Sequence, residues 1–135
     1  MLHRDIIALE KIVSELSIAL DMLSDISFDK FNSDEIIKRA ICMTVINIGE
    51  LVKSLSDEFR AEYKSVPWKS IAGFRDIAAH KYQTLKMGDV YKTVSEDFPE
   101  LKEAIEKYIY YYNNNRYQEK LGCLSPLEYH ELMAA

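Results

Sequence analysis

Seven apolar residues near the start of the chain, Leu2, Ile6, Leu9, Val13, Leu16, Leu20 and Leu23, step by four and three in alternation. Side chains at this spacing form one continuous stripe down a helix and cannot line one face of a strand, whose period is two. The stripe therefore predicts a helix over residues 2–23, and a helix with one apolar face must be packed against other elements.

The rest of the chain repeats the period. Residues 25–32 interrupt it, and Asn32 or Ser33 can cap a second helix whose first turn holds Asp34 and Glu35, acids the helix dipole favours. That helix is predicted to reach about Leu55. Its apolar positions form two overlapping series, Ile37, Ile41, Thr44, Ile48, Leu51, Leu55 and Ile41, Val45, Ile48, Val52, Leu55. A buried face that wide needs more than one partner, so this helix is expected at the centre. Residues 56–64 read as a short helix or turn, Trp68 as a core anchor, and Pro67 as suited to the start of a helix that runs through residues 71–80. A loop is expected over residues 83–88. Asp89 can then cap a helix carrying Val90, Tyr91, Val94 and Phe98, which Pro99 ends or restarts. Leu101, Ala104, Ile105, Tyr108 and Ile109 give the last core helix. No stretch alternates like a half-buried strand, so the fold class is all-α, an antiparallel helical bundle with short loops.

Composition narrows the function. A chain of 135 residues with 48% apolar and 29% charged residues fits one domain with a real core. The net charge of −5 excludes a surface coated for phosphate binding. Within residues 63–88, however, Lys64, Lys69, Arg75, Lys81 and Lys86 face the single acid Asp76, which leaves about −9 on the remainder. A local basic patch can hold a short stretch of phosphodiester backbone; charge alone favours the plainer reading, solvated lysines on an exposed face. Cys42 and Cys123 have neither metal-ligand nor disulfide spacing, so a reducing, cytoplasmic setting is expected, with no metal or cofactor. The charged start and the lack of any apolar run near the roughly 18 residues of a membrane span predict neither a signal peptide nor a membrane helix.

The candidate site is Gly73-Phe74-Arg75-Asp76-Ile77-Ala78-Ala79-His80-Lys81-Tyr82, which holds the only histidine well inside the chain. On an ideal helix Arg75 and Tyr82 share a face, whereas His80 stands about 140° from Arg75. Arginine and histidine converge only if the helix frays near His80 or if a second copy of the helix crosses the first, and a dimer is the more economical answer. Taken alone, the residues also fit a helix-end histidine, a surface ion-pair arginine and a packing tyrosine.

Ile48-Gly49-Glu50, Pro67-Trp68, and Arg75-Asp76 followed by His80 and Tyr82 resemble the HepT-like members of the HEPN superfamily, over about residues 39–107. The spacing Arg, four residues, His, one residue, Tyr is that family's defining motif. The resemblance implies a HEPN-like domain over residues 1–109 that acts as a metal-independent endoribonuclease toxin, a homodimer whose two motif copies face a shared cleft. It implies catalytic Arg75 and His80, supporting Asp76 and Tyr82, and RNA as substrate. It also implies a partner, a small nucleotidyltransferase antitoxin that places AMP on the motif tyrosine, Tyr82.

Lys69, Lys81 and Lys86 are the expected RNA-binding cations. Cleavage without a metal needs a base for the 2′-OH, an acid for the leaving 5′-oxygen and a cation for the phosphorane. Histidine titrates near neutrality and arginine binds phosphate oxygens in pairs, so a dimer would supply one histidine for each proton transfer. The alternative is a catalytically silent HEPN module that docks a nucleotidyltransferase or a nucleotide. Residues 110–135 differ in kind: Tyr111-Tyr112-Asn113-Asn114, Arg116, Leu121, Leu124-Ser125-Pro126 and Tyr129 resemble the end of an insertion-sequence DDE transposase. This tail is expected to leave the helical stripe and then form a short helix over residues 126–133.

Overall fold

The computed structural model describes residues 3–64 and 66–120; Leu2, Cys123, His130 and the short helix expected over residues 126–133 lie outside them. The described chain is helical, in the order α1 (His3–Met22), α2 (Phe28–Ser33), α3 (Glu35–Lys53), α4 (Asp57–Glu62), α5 (Trp68–His80), a 3₁₀ turn (Tyr82–Thr84), α6 (Met87–Lys92), a π turn (Thr93–Asp97) and α7 (Phe98–Lys120), with no strand among the described residues. The all-α bundle expected from the periodicity is what forms.

The stripe of α1 is the core. Ile6, Leu9, Leu16 and Leu23 are buried with Ile12 and Ala19 beside them, against Ile41, Val45, Ile48 and Val52 of α3. α3 packs on α1, α2 and α5, the central place its double apolar series predicts. Buried Asp5 fixes the register: its carboxylate accepts from the backbone N–H and the hydroxyl of Ser56, both at 2.8 Å, while the Ser56 hydroxyl oxygen accepts from Phe59 N–H and so caps α4. The start of α1 is thereby tied to the chain leaving α3, and the two helices run antiparallel. Trp68 anchors the start of α5, its indole N–H donating to the Tyr63 carbonyl at 3.0 Å.

Four local expectations need correcting. The chain between α1 and α3 is not only a break, since six residues capped by Ser27 form α2 and put Phe31 in the core. An element that short shows no period. The cap of α3 is consequently Asp34, whose Oδ1 accepts from Ile36 N–H and Ile37 N–H at 3.0 and 3.1 Å, and not Asn32 or Ser33. The expected loop after the motif holds a 3₁₀ turn and the start of α6 at Met87, so Asp89 lies in the first turn instead of capping it. The last helix does not end at Ile109: α7 continues through the tyrosine–asparagine run to Lys120. Pro99 restarts nothing with a gap, because the π turn widens the backbone ahead of it. Phe98 N–H donates to the Thr93 carbonyl five residues back, and the wider turn accommodates a ring that would otherwise press on the carbonyl of Ser95.

Candidate functional site

Gly49 is where the site begins. α3 and α5 approach so closely that a Cβ on residue 49 would stand 2.1 Å from Arg75 Cβ and 2.7 Å from its Cγ, so only glycine leaves room for the arginine stem. Laid across Gly49, the half-buried guanidinium is held at two corners. Arg75 Nη2 lies 2.5 Å from Glu50 Oε1 and Nη1 lies 2.9 Å from Asp76 Oδ1. Lys53 Nζ reaches the same Asp76 oxygen at 2.9 Å. Its hydrogen bond, followed by that of Arg75, holds the Asp76 carboxyl below the usual carboxylate range. Charges of alternating sign thus run Glu50, Arg75, Asp76, Lys53. Arg75 Nε–H is buried without an acceptor among the described residues.

His80 is the last residue of α5, and the helix is intact up to it. It is exposed, makes no hydrogen bond among the described residues, and borders a shallow groove lined by Ala79, Lys81, Tyr82, Gln83 and Thr84. The helix is therefore unfrayed at His80. Five helical residues place His80 about 140° around and roughly 7.5 Å along the axis from Arg75.

Tyr82, in the 3₁₀ turn, donates its hydroxyl to Glu35 Oε1 at 2.9 Å, and the Arg39 guanidinium lies 4.9 Å from the centre of its ring. Burial and then the bond to Glu35 push the Tyr82 phenol up, while the Tyr82 hydroxyl and Lys38 hold the Glu35 carboxyl down.

The expected cations do not gather. Lys69, Lys81 and Lys86 are all exposed, but Lys69 is in the first turn of α5, about 16 Å along the helix axis from His80. Lys81 borders the groove beside His80, and the other cations near the motif are Lys38, Arg39 and Lys53 of α3, which sequence reasoning missed, along with Glu35 as the partner of Tyr82. One signal was available: Arg39, Glu50 and Lys53 are separated by 11 and 3 residues, three turns and one turn of a helix, hence one face. An apolar cleft of about 450 Å³ lies between α3, α5 and α7, lined by Val45, Ile48, Ile71, Phe74 and Leu101 among others. It includes none of the motif's polar residues, and its lining offers little to an anion. Among the described residues no group of three His, Cys, Asp or Glu side chains is placed to hold a metal ion, and no helix is long and apolar enough to cross a membrane.

The described residues thus form a small helical bundle that ion-pairs Arg75 and leaves His80, at the end of the same helix, exposed. The chain belongs to the HepT-like ribonuclease family, whose model, described as "Ribonuclease HepT-like", matches residues 8–108. Among relatives it is 35% identical over 99 residues, 73% of this chain and 88% of the other, to "Putative RNase TTE0752" of Caldanaerobacter subterraneus subsp. tengcongensis. It is 30% identical over 105 residues, 78% of this chain and 94% of the other, to "Probable ribonuclease HepT" of Thermococcus cleftensis. No solved structure matches the chain.

Proposed function

We propose that this protein is a metal-independent endoribonuclease that cleaves RNA by attack of the 2′-OH, and that it is the toxin of a cytoplasmic toxin–antitoxin pair. The observation that carries the reading is His80: exposed, without a hydrogen-bond partner among the described residues and on the same helix as a pre-positioned arginine, in a family of ribonucleases. Arg75 orients and neutralises the phosphate, Asp76 and Glu50 hold Arg75 in place, and His80 moves protons. One copy of the chain presents one such histidine. Two copies related by a two-fold axis bring a base and an acid to one phosphate. Lys69, Lys81 and Lys86 guide the flanking backbone. The family match ending at residue 108 supports reading residues 1–109 as the catalytic unit and 110–135 as an appended, transposase-like tail.

The partner in this reading is a small nucleotidyltransferase that places AMP on Tyr82, where added bulk and negative charge exclude RNA. Mass spectrometry after co-expression should find that AMP on Tyr82; modification elsewhere, or none, removes the assignment. One observation favours the alternative, a silent module that docks a nucleotidyltransferase or nucleotide: Glu50 and Asp76 already occupy Arg75, and phosphate must compete with them. The decisive test is cleavage of RNA by the purified protein in EDTA. Cleavage is expected, and His80→Ala and Arg75→Ala are each expected to abolish it with helix content unchanged. Activity retained in both variants removes these residues from catalysis, and an inactive wild-type protein leaves the docking module.

A further inference from the structure

The exit of α5 is weakly built for a helix end that carries a catalytic group. It has no glycine, and the Lys81 backbone sits at φ −133°, ψ 38° with its N–H donating to the Ile77 carbonyl at 2.8 Å. Ala79, His80 and Lys81 are all exposed, and the Lys81 carbonyl accepts from the Thr84 N–H and hydroxyl at 2.9 and 3.0 Å.

What ties this segment to another element is Tyr82. Its hydroxyl reaches Glu35, the first residue of α3, and its ring lies under Arg39. Arg39 Nε and Lys38 Nζ bind the same Glu35 carboxylate at 2.9 and 3.2 Å. Glu35, Tyr82 and Arg39 therefore form a closed ring of contacts, in which the tyrosine hydrogen bond to Glu35 and the stacking of Arg39 on the ring both join α3 to the turn. Exposed ion pairs add little to global stability. A ring of this kind placed two residues from His80 does something else: it restricts where the turn can sit.

The geometry points to Glu35 as a positioning residue for His80, acting through the Tyr82 hydroxyl, with Arg39 closing over the ring. The inference rests on reading His80 as the acid–base group. It has a corollary for Tyr82: any group carried on its phenolic oxygen removes the donated hydrogen and opens the ring of contacts, so modification would release His80 as well as obstruct the groove.

The test compares wild type, Glu35→Ala, Glu35→Gln and Tyr82→Phe, all full-length. Steady-state cleavage of a single-stranded RNA oligonucleotide is followed together with the ¹H–¹³C resonance of His80 Cε1, assigned with His80→Asn. Glu35→Ala and Tyr82→Phe should lower kcat roughly tenfold with KM nearly unchanged, since a misdirected group costs turnover more than binding. Glu35→Gln keeps an oxygen that accepts from Tyr82 and should retain most of kcat. Wild-type kcat in Glu35→Ala, or equal damage from Gln and Ala, overturns the proposal. If the wild-type protein cleaves no RNA the ribonuclease reading falls, and the spectra decide the positioning by themselves. A His80 signal shifted or broadened in Glu35→Ala and Tyr82→Phe but not in Glu35→Gln supports it; superimposable spectra in all four overturn it.

Discussion

At the scale of single residues, the site depends on an absent side chain. Gly49→Ala would ordinarily stabilise a helix interior by about 0.5–1 kcal/mol. Here the new methyl meets the Arg75 stem at 2.1 Å, so α3 and α5 must part or the arginine must leave. A net loss of about 1–3 kcal/mol in urea unfolding is expected, together with loss of RNA cleavage. Gly73→Ala is the control, because a methyl there meets nothing within 4 Å and should stabilise α5 by about 0.5–1 kcal/mol. The titrating groups behave with opposite sign. The folded state favours the neutral Tyr82 phenol, so its contribution is complete below the ordinary tyrosine value and is lost as pH rises through the higher folded value. For Asp76, held low by Lys53 and then Arg75, the contribution is present above the ordinary carboxylate value and is lost as pH falls through the lower folded one. Absorbance titration against Tyr82→Phe should therefore show Tyr82 ionising above the normal range, and moving down part of the way in Glu35→Ala. Because burial is the larger cause, a complete return to normal would contradict this account.

At the scale of elements, what was legible in the sequence is what repeats. The stripe from Ile6 to Leu23 and the double series from Ile37 to Leu55 each extend over several turns, and both helices and their packing follow from them. α2 was hidden because Phe31 is its only buried residue. The clamp on Arg75 was hidden because Glu50 and Lys53 lie more than twenty positions away, and only the packing of α3 on α5 joins them. The end of α7 was misread for a different reason. Asparagine has poor intrinsic helix propensity, but Tyr112 lies part-buried against the core one turn beyond Tyr108, and that contact carries the helix past Ile109. This moves the expected cost of truncation. Deleting residues 113–135 should change stability by no more than about 1 kcal/mol, whereas deleting 110–135 also uncovers the surface under Tyr112 and should cost about 1–3 kcal/mol more. Urea unfolding of the two truncations measures the difference. Equal stabilities would show that Tyr112 contributes nothing; an unfolded 1–112 fragment would show that the tail belongs to the core.

At the scale of the whole molecule, one side of the bundle looks unfinished. Ile36 is 81% exposed and Met43 57%, and helical spacing puts both on the face of α3 that also carries Arg39 and Glu50. α5 flanks this strip with exposed Ile77, one turn from His80, and α1 flanks it with Ile18. Lys11, Ser14 and Glu15 of α1 lie beside Asn47, Glu50 and Leu51 of α3, and this antiparallel register carries Ile18 to the level of Met43. Single exposed apolar residues are ordinary, but several gathered on one side mark a surface that another copy can cover. Here that surface surrounds a motif whose arginine and histidine point about 140° apart on an unbroken helix. Pairing two copies across it would answer both problems, since the apolar side chains would be buried and each histidine brought toward the partner's arginine. Sedimentation equilibrium should find a dimer at micromolar concentration. Met43→Arg and Ile77→Asp, both at exposed positions, should yield monomers of unchanged helix content that no longer cleave RNA. Dispersal with full cleavage would place a complete site in one chain. A wild-type monomer at micromolar concentration would leave Met43 and Ile36 without the function argued for them.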